Sequence, residues 1–251
     1  MIFNKIADKL YKRRKVFDRI CDANHLNLDF QSNIKELEVL VGIFEHREYA
    51  DYFPFYKNAT IVDIGAHYGY FSIFAKLNSG KESKIISIEP NKENYKRFLQ
   101  NIQSNNIENI RPLNFAIADK SGHAQLYKGA NKNSSILSNY SLINSSISEA
   151  VEAKTLEDII QEQGLSTIDF LKIDCEGAEY DILENLPKAV FDKITTISME
   201  FHDLRSDKYT GEHIVNTLRL NGFDVVKYKY EETVWGLNYG KIIGTKVLQK
   251  N

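Results

Sequence analysis

The stretch TIVDIGAHYGYFSIFAKL, residues 60–77, decides the fold. Its opening residues are mostly apolar, as in a strand buried on both faces. A turn with Gly65 and Gly69 follows, and then apolar residues recur at helical spacing. A strand that runs through a tight turn into a helix presents helix N–H groups at the strand's C-terminal tip, where open α/β sheets bind ligands.

The pattern continues on both sides. ATIVDI (59–64), SKIISIE (83–89) and IRPLNF (110–115) read as short buried strands, with helical spacing over 68–78 and 91–104 between them. The second half repeats the alternation with TIDFLKI (167–173), a helix from about Glu176, KITTISMEF (193–201), a helix over 209–220 and FDVVKYKY (223–230). A last strand lies in KIIGTKVLQ (241–249). Such βα alternation predicts a mostly parallel sheet with helices on both faces and the strand C-terminal ends along one edge. Residues 119–154 are rich in Ser, Asn, Lys and Gly and predict a surface insertion, with a hairpin around Ala124–Tyr127 and a loop from Asn131 to Ser146 placed to close over a ligand. Residues 1–50 predict an N-terminal helical extension that caps the sheet edge or covers the ligand, and residues 51–251 the α/β domain.

Composition narrows the function classes. Lys plus Arg number 32 against 34 Asp plus Glu, so no global basic field points to nucleic acid. Cys21 and Cys175 supply neither a disulfide framework nor a zinc set, which fits a reducing, cytoplasmic compartment. Lysines interrupt the N-terminus where a signal peptide needs an apolar region, and no run approaches the ~20 apolar residues of a membrane span. Ile2, Phe3, Ile6 and Leu10 on one helix face, beside the basic run Lys12–Lys15, permit peripheral contact with an anionic membrane; a first helix with a solvated basic end is the simpler reading.

The glycine turn is not a dinucleotide fingerprint. His67 and Tyr70 stand where that motif needs bare backbone against a pyrophosphate. What remains is Asp63, Gly65 and Gly69, with exposed amides to meet a carboxylate and an acidic side chain to meet an ammonium, the two charges of an amino acid. Glu89 ends the next strand 20 residues after Gly69, where a carboxylate accepts both hydrogens of a ribose diol. A nucleoside joined to an amino acid is S-adenosylmethionine. Ala66, His67 and Tyr70 of the turn and Pro90 beside Glu89 belong to the same expected set, and Ala116 and Ile117, after the third strand, would flank the adenine.

The segments VDIGAHYGYFS, SIEPNKENYKRFLQN, NFAIADKSG, TLEDII and IDFLKIDCEGAEYDIL together resemble the FkbM-type methyltransferases, over residues 60 to about 203. LKIDCEGAE is the most specific of them. The resemblance implies the Rossmann-like class I methyltransferase fold with a C-terminal antiparallel strand, S-adenosylmethionine as cofactor, and O-methylation of a hydroxyl on a small molecule or sugar. His67 departs from the Asn frequent in that family, and Cys175 from a frequent Val.

Methyl transfer to a hydroxyl needs alignment and a base. LKIDCEGAE places Asp174 just beyond a strand, with Glu176 and Glu179 in the expected first turn of the next helix. Asp174 would contact the cofactor's amino group or the acceptor, with a structural pair to Lys172 as the alternative. If the strand ending SMEFHD is adjacent, as the class I order implies, Glu200 and His202 emerge beside Asp174. The expected catalytic set is therefore His202, Asp174 and Glu200, with His202 as base because an ordinary imidazole titrates near 6.5. Those three side chains also suit Mg or Mn, but no local ligand spacing demands a metal and none is expected. Two other functions use the same sheet: a non-catalytic nucleoside-binding protein, and a nicotinamide-dependent oxidoreductase, which His67 and Tyr70 disfavour.

Overall fold

In the computed structural model, residues 2–30, 34–128, 134–135, 147–202, 209–231 and 239–246 are described, with side chains for all of these except 2–10, 128, 134 and 231. The elements run α1 (Ile2–Asn24), α2 (Ile34–Phe44), β1 (Thr60–Ile64), α3 (Tyr70–Asn78), β2 (Lys84–Ile88), α4 (Lys92–Ser104), β3 (Ile110–Leu113), β4 (Ala116–Ile117), β5 (Gly122–Lys128) and β6 (Ser134–Ser135). They continue β7 (Ser148–Lys154), α5 (Leu156–Glu162), β8 (Ile168–Ile173), α6 (Glu179–Glu184), α7 (Lys188–Phe191), β9 (Ile194–His202), α8 (Gly211–Leu220), β10 (Phe223–Glu231) and β11 (Tyr239–Lys246).

The main sheet has the order β3-β2-β1-β8-β9-β11-β10. The first five of these strands are parallel, and β11 runs antiparallel between β9 and β10. This is a Rossmann-like α/β fold with a C-terminal antiparallel strand. Strands β1, β2 and β8 are apolar and buried along most of their length because both faces are covered. Val62 and Ile64 pack on one face with α5 to α8, while the alternating Ile61 packs on the other with Ile85, Phe170 and α1 to α3. Each such side chain stabilises the fold by about 1.5–3 kcal/mol.

The N-terminal helices lie across a face of the sheet, whose edges are β3 and β10. Phe17 and Ile20 of α1 and Leu37, Leu40 and Ile43 of α2 share one core with Phe71 and Phe74 of α3. Buried Arg97 of α4 ties this layer down, donating to Asp29 at 3.1 Å and to the buried carboxylate of Glu36. The side chains of Ile2, Phe3, Ile6 and Leu10 lie outside the described residues, and no described helix is long and apolar enough to cross a membrane.

Two local expectations are corrected. The segment Ala124–Tyr127 is a strand whose end pairs antiparallel with the next strand, Tyr127 opposite Ser135 and Lys128 opposite Ser134, but its main partner is distant in sequence. β5 pairs antiparallel with β7, from Gly122 opposite Ala153 to Tyr127 opposite Ser148, within a second sheet of order β4-β7-β5-β6. Most of the loop 131–146 lies outside the described residues. The helix expected from Glu176 begins at Glu179, because Glu176 (φ 57°) and Gly177 (φ 105°) both hold left-handed backbone and cannot continue an α-helix.

Candidate active site

A cavity of about 790 Å³ opens at the C-terminal ends of β1, β2, β8 and β9, within the size range of small-ligand sites. The turn after β1, Glu89 with Pro90, Ala116 with Ile117, and Asp174 to Glu176 line it, and residues between Lys35 and Asp51 supply another wall.

The turn is tighter than a ligand contact requires. Gly65 has φ 79°, and a Cβ there would stand 1.8 Å from the carbonyl oxygen of Asp174. Gly69, also at φ 79°, would place a Cβ 1.9 Å from the Phe98 ring. Gly69 therefore serves the packing of α3 on α4 and does not line the cavity, correcting its place among the cofactor contacts. The amides expected to receive a carboxylate are also engaged. Gly65 and Ala66 donate to the carbonyl of Ile88 at 3.0 and 2.9 Å, and His67, at φ 52°, donates to Glu89 Oε2 at 2.8 Å. Ala66, His67 and Tyr70 do line the cavity, though the Tyr70 hydroxyl is turned to Glu36 at 2.7 Å.

Asp63 is corrected too. It is fully buried beneath the turn, and the ammonium that it meets is that of Lys172, its register partner on β8, at 3.0 Å. Its second oxygen accepts from Ser72 Oγ at 2.6 Å. Lys172 Nζ also donates to the Gly65 carbonyl at 3.1 Å, locking the turn from below, and it lies 3.9 Å from Asp174. Lys172 is therefore chiefly the partner of Asp63.

At one end of the cavity Glu89 is held rigidly. Oε2 accepts from the His67 amide and Oε1 from the Asn91 amide at 2.8 Å, with Asn94 Nδ2 at 3.4 Å. Burial pushes its carboxyl up to about 7 despite those donors. Pro90, Ala116 and Ile117 stand beside it as apolar wall.

At the other end the structure brings Asp174, Glu200 and His202 together, with one potential ligand atom of each within 4.8 Å of the others. Asp174 and Glu200 line the cavity. Burial works to raise Asp174, but Lys172, His202 and the Tyr49 hydroxyl, which donates at 3.0 Å, hold it below the usual range. Burial and the neighbouring Asp174 push Glu200 up to about 8.

His202 is buried and sits behind the carboxylates, outside the cavity lining. Burial alone would lower its pKa, but Glu179, Glu176 and Glu200 overcome that and raise it to about 10. The ring lies outside the cavity lining with its nitrogens turned to those acids, so the structure does not place His202 to take an acceptor's proton, the role expected from the sequence. Two residues beyond the expected set matter. Buried Glu179 bonds His202 Nδ1 at 3.2 Å and the Cys175 amide at 3.0 Å. Tyr49 belongs to a segment without any motif. The EGAE spacing was a signal for Glu179; none existed for Tyr49.

The FkbM methyltransferase domain matches residues 63–225. The chain belongs to the FkbM methyltransferase family. It is similar to Methyltransferase 1 of Beauveria bassiana, 25% identical over 185 residues that cover 66% of this chain and 74% of that one. A shorter stretch of 71 residues is 39% identical to the 31-O-demethyl-FK506 methyltransferase FkbM of Streptomyces tacrolimicus, covering 28% of this chain and 26% of that one. Among solved structures, precorrin-6y C5,15-methyltransferase from Geobacter metallireducens superposes with a TM-score of 0.50 at 13% identity, covering 88% of this chain and 94% of that one, a likeness of fold.

As an FkbM-family member the chain is an S-adenosylmethionine-dependent methyltransferase, and the donor set fits that cofactor. Each oxygen of Glu89 is fixed from the protein side by a backbone amide, and the carboxylate faces a cavity beside an apolar shelf. Ribose hydroxyls donate to a carboxylate anion, so cofactor affinity should rise by about ten-fold between pH 6 and pH 8 as Glu89 ionises around 7. Without cofactor the sign reverses. A carboxyl raised on folding contributes stability that is present below its unfolded pKa and is lost as pH rises through its folded one. Calorimetric titration across that range checks the first effect, and Glu89→Gln should flatten it; an equal slope in the variant would remove Glu89 from the site.

Proposed function

We propose that this FkbM-family enzyme methylates a hydroxyl oxygen on a small molecule or sugar. The observation that carries the reading is the cavity's polarity from end to end: Glu89 beside an apolar shelf at one end, Asp174 and Glu200 at the other. Glu89 would hold the ribose hydroxyls, Pro90, Ala116 and Ile117 the adenine, and Asp174 the ammonium or the acceptor. When bound, the cofactor supplies an electrophilic methyl carbon on a sulfonium.

This chain's own residues do the rest. Tyr49 and Lys172 orient Asp174, the α2 layer excludes water, and the carboxylates at the acceptor end accept a hydroxyl hydrogen. Glu200, raised to about 8, is mostly protonated at neutral pH, so Asp174, held ionised by Lys172, His202 and the Tyr49 hydroxyl, is the carboxylate that accepts that proton. Cys175 is unsuited to nucleophilic work because burial pushes its thiol well up. The name of the Streptomyces relative, a methyltransferase for a 31-O-demethyl compound, supports oxygen as the target.

The test is transfer of labelled methyl from S-adenosylmethionine to a metabolite extract, with mass spectrometry locating the label. Label on oxygen of a small product supports the reading. Label on nitrogen or carbon overturns its chemistry, and tight cofactor binding without any transfer favours a non-catalytic nucleoside-binding protein.

A further inference from the structure

We propose that Asp174, Glu200 and His202 form a site for one divalent cation of the Mg/Mn class at the acceptor end of the cavity. The inference deepens the functional reading above and rests on it only for what the ion would do.

Three independent features point to a cation. The first is spacing. Ligand atoms of the three residues lie within 4.8 Å of one another, wider than the about 3 and 4.2 Å between cis and trans ligands of an octahedral ion at about 2.1 Å but close enough for small side-chain rotations to bring them onto one ion. The strands supply this spacing, since Asp174 follows β8 and Glu200 and His202 end the neighbouring parallel β9.

The second is the orientation of the histidine. His202 is 6% exposed, its Nδ1 is held at 3.2 Å by Glu179, and its Nε2 is turned to the carboxylates, 3.6 Å from both Glu200 and Glu176. A carboxylate on the other ring nitrogen is how proteins orient a metal-ligating histidine, and an incoming ion would displace the Nε2 proton of the ion-free ring to solvent.

The third is charge. Asp174, Glu176, Glu179 and Glu200 surround this one imidazole. The lysines nearest them among the described residues are closer to other carboxylates: Lys172 is 3.0 Å from Asp63 and 3.9 Å from Asp174, and Lys241 is 2.6 Å from Glu48 and 3.7 Å from Glu200. Glu179 Oε2 is buried with no hydrogen-bond partner among the described residues. Among the described residues Asp174, Glu179 and Glu200 are met by fewer cations than acids, and a bound cation would balance them. Two carboxylates with one imidazole suit Mn better than Mg, whose preference is for oxygen alone. An ion there would face the cavity through Asp174 and Glu200, in reach of an acceptor oxygen.

The test uses the full chain, stripped with chelator, and Mn²⁺ itself as probe, with loss of the free-ion paramagnetic resonance signal reporting binding. The expected result is one ion per chain, displaced by excess Mg²⁺. Asp174→Asn and Glu200→Gln should each weaken binding at least ten-fold, and Glu179→Gln, which acts through His202, by about 10- to 100-fold. Glu162→Gln, on the surface of α5, should leave it unchanged. Circular dichroism melts confirm that each variant is folded, and Glu200→Gln, at a partly exposed site, keeps the test decisive if the Glu179 variant unfolds.

No binding at millimolar Mn²⁺, or binding equally strong in folded Asp174→Asn and Glu200→Gln proteins, would overturn the site. Titration with S-adenosylmethionine on the same samples separates the two ideas: cofactor binding with no ion sinks only the metal, whereas ion binding with no cofactor sinks the functional reading.

Discussion

Gly65→Val is expected to destabilise the fold by more than about 4 kcal/mol, and Gly65→Ala by nearly as much. The reason lies in the first side-chain atom. A Cβ at this position stands 1.8 Å from the Asp174 carbonyl oxygen, which belongs to backbone at the end of β8 and cannot rotate away. The left-handed φ of 79° adds strain for alanine and more for a β-branched residue. Melting temperature and soluble yield read the effect. A Gly65→Ala protein as stable as wild type, with only the valine harmful, would mean that glycine is kept for the ligand's sake and not for the approach of the two strands.

Lys172→Met should cost about 3–5 kcal/mol, because it leaves the fully buried Asp63 carboxylate without its cation. Ser72 still donates to one oxygen, so the charge is solvated in part and the expected loss stays within that range. The double variant Asp63→Asn with Lys172→Met should recover much of the loss, since the uncompensated charge is then gone. Urea unfolding of the single and double variants measures the coupling. Additive losses would show that the pair is not the interaction that matters.

The strand pattern was readable because a parallel strand covered on both faces is mostly apolar, and residues 60–64, 84–88 and 168–173 are, despite Asp63, Ser87 and Lys172. The pairing of β5 with β7 was not, because the register joining Gly122 to Ala153 depends on contacts across a polar segment without periodicity. Glu89 could be placed from its position at a strand tip; Asp63 could not. Whether Lys172 turns to Asp63 or to Asp174 depends on which strand lies beside β8, and no local pattern carries that. His202 was readable as a neighbour of Asp174 and Glu200, but not the acids that raise its affinity for a proton. Its charge is set by Glu179 and Glu176, and the latter's direction follows from the left-handed backbone at Glu176 and Gly177.

The cavity wall between Lys35 and Asp51 lies wholly outside residues 63–225, the part shared with the FkbM family, whereas Glu89, Pro90, Ala116 and Ile117 lie inside it. The wall supplied by residues 35–51 is therefore inherited on different terms from both ends of the cavity. A chimera that exchanges residues 1–59 between relatives should keep its nucleoside end and change the surface that an acceptor meets. Its folding would hinge on one requirement. Arg97 comes from the shared part, is 4% exposed, and finds its carboxylates on Asp29 and Glu36 of the exchanged part, so any incoming segment must carry an acid to the same spot or leave a guanidinium buried alone.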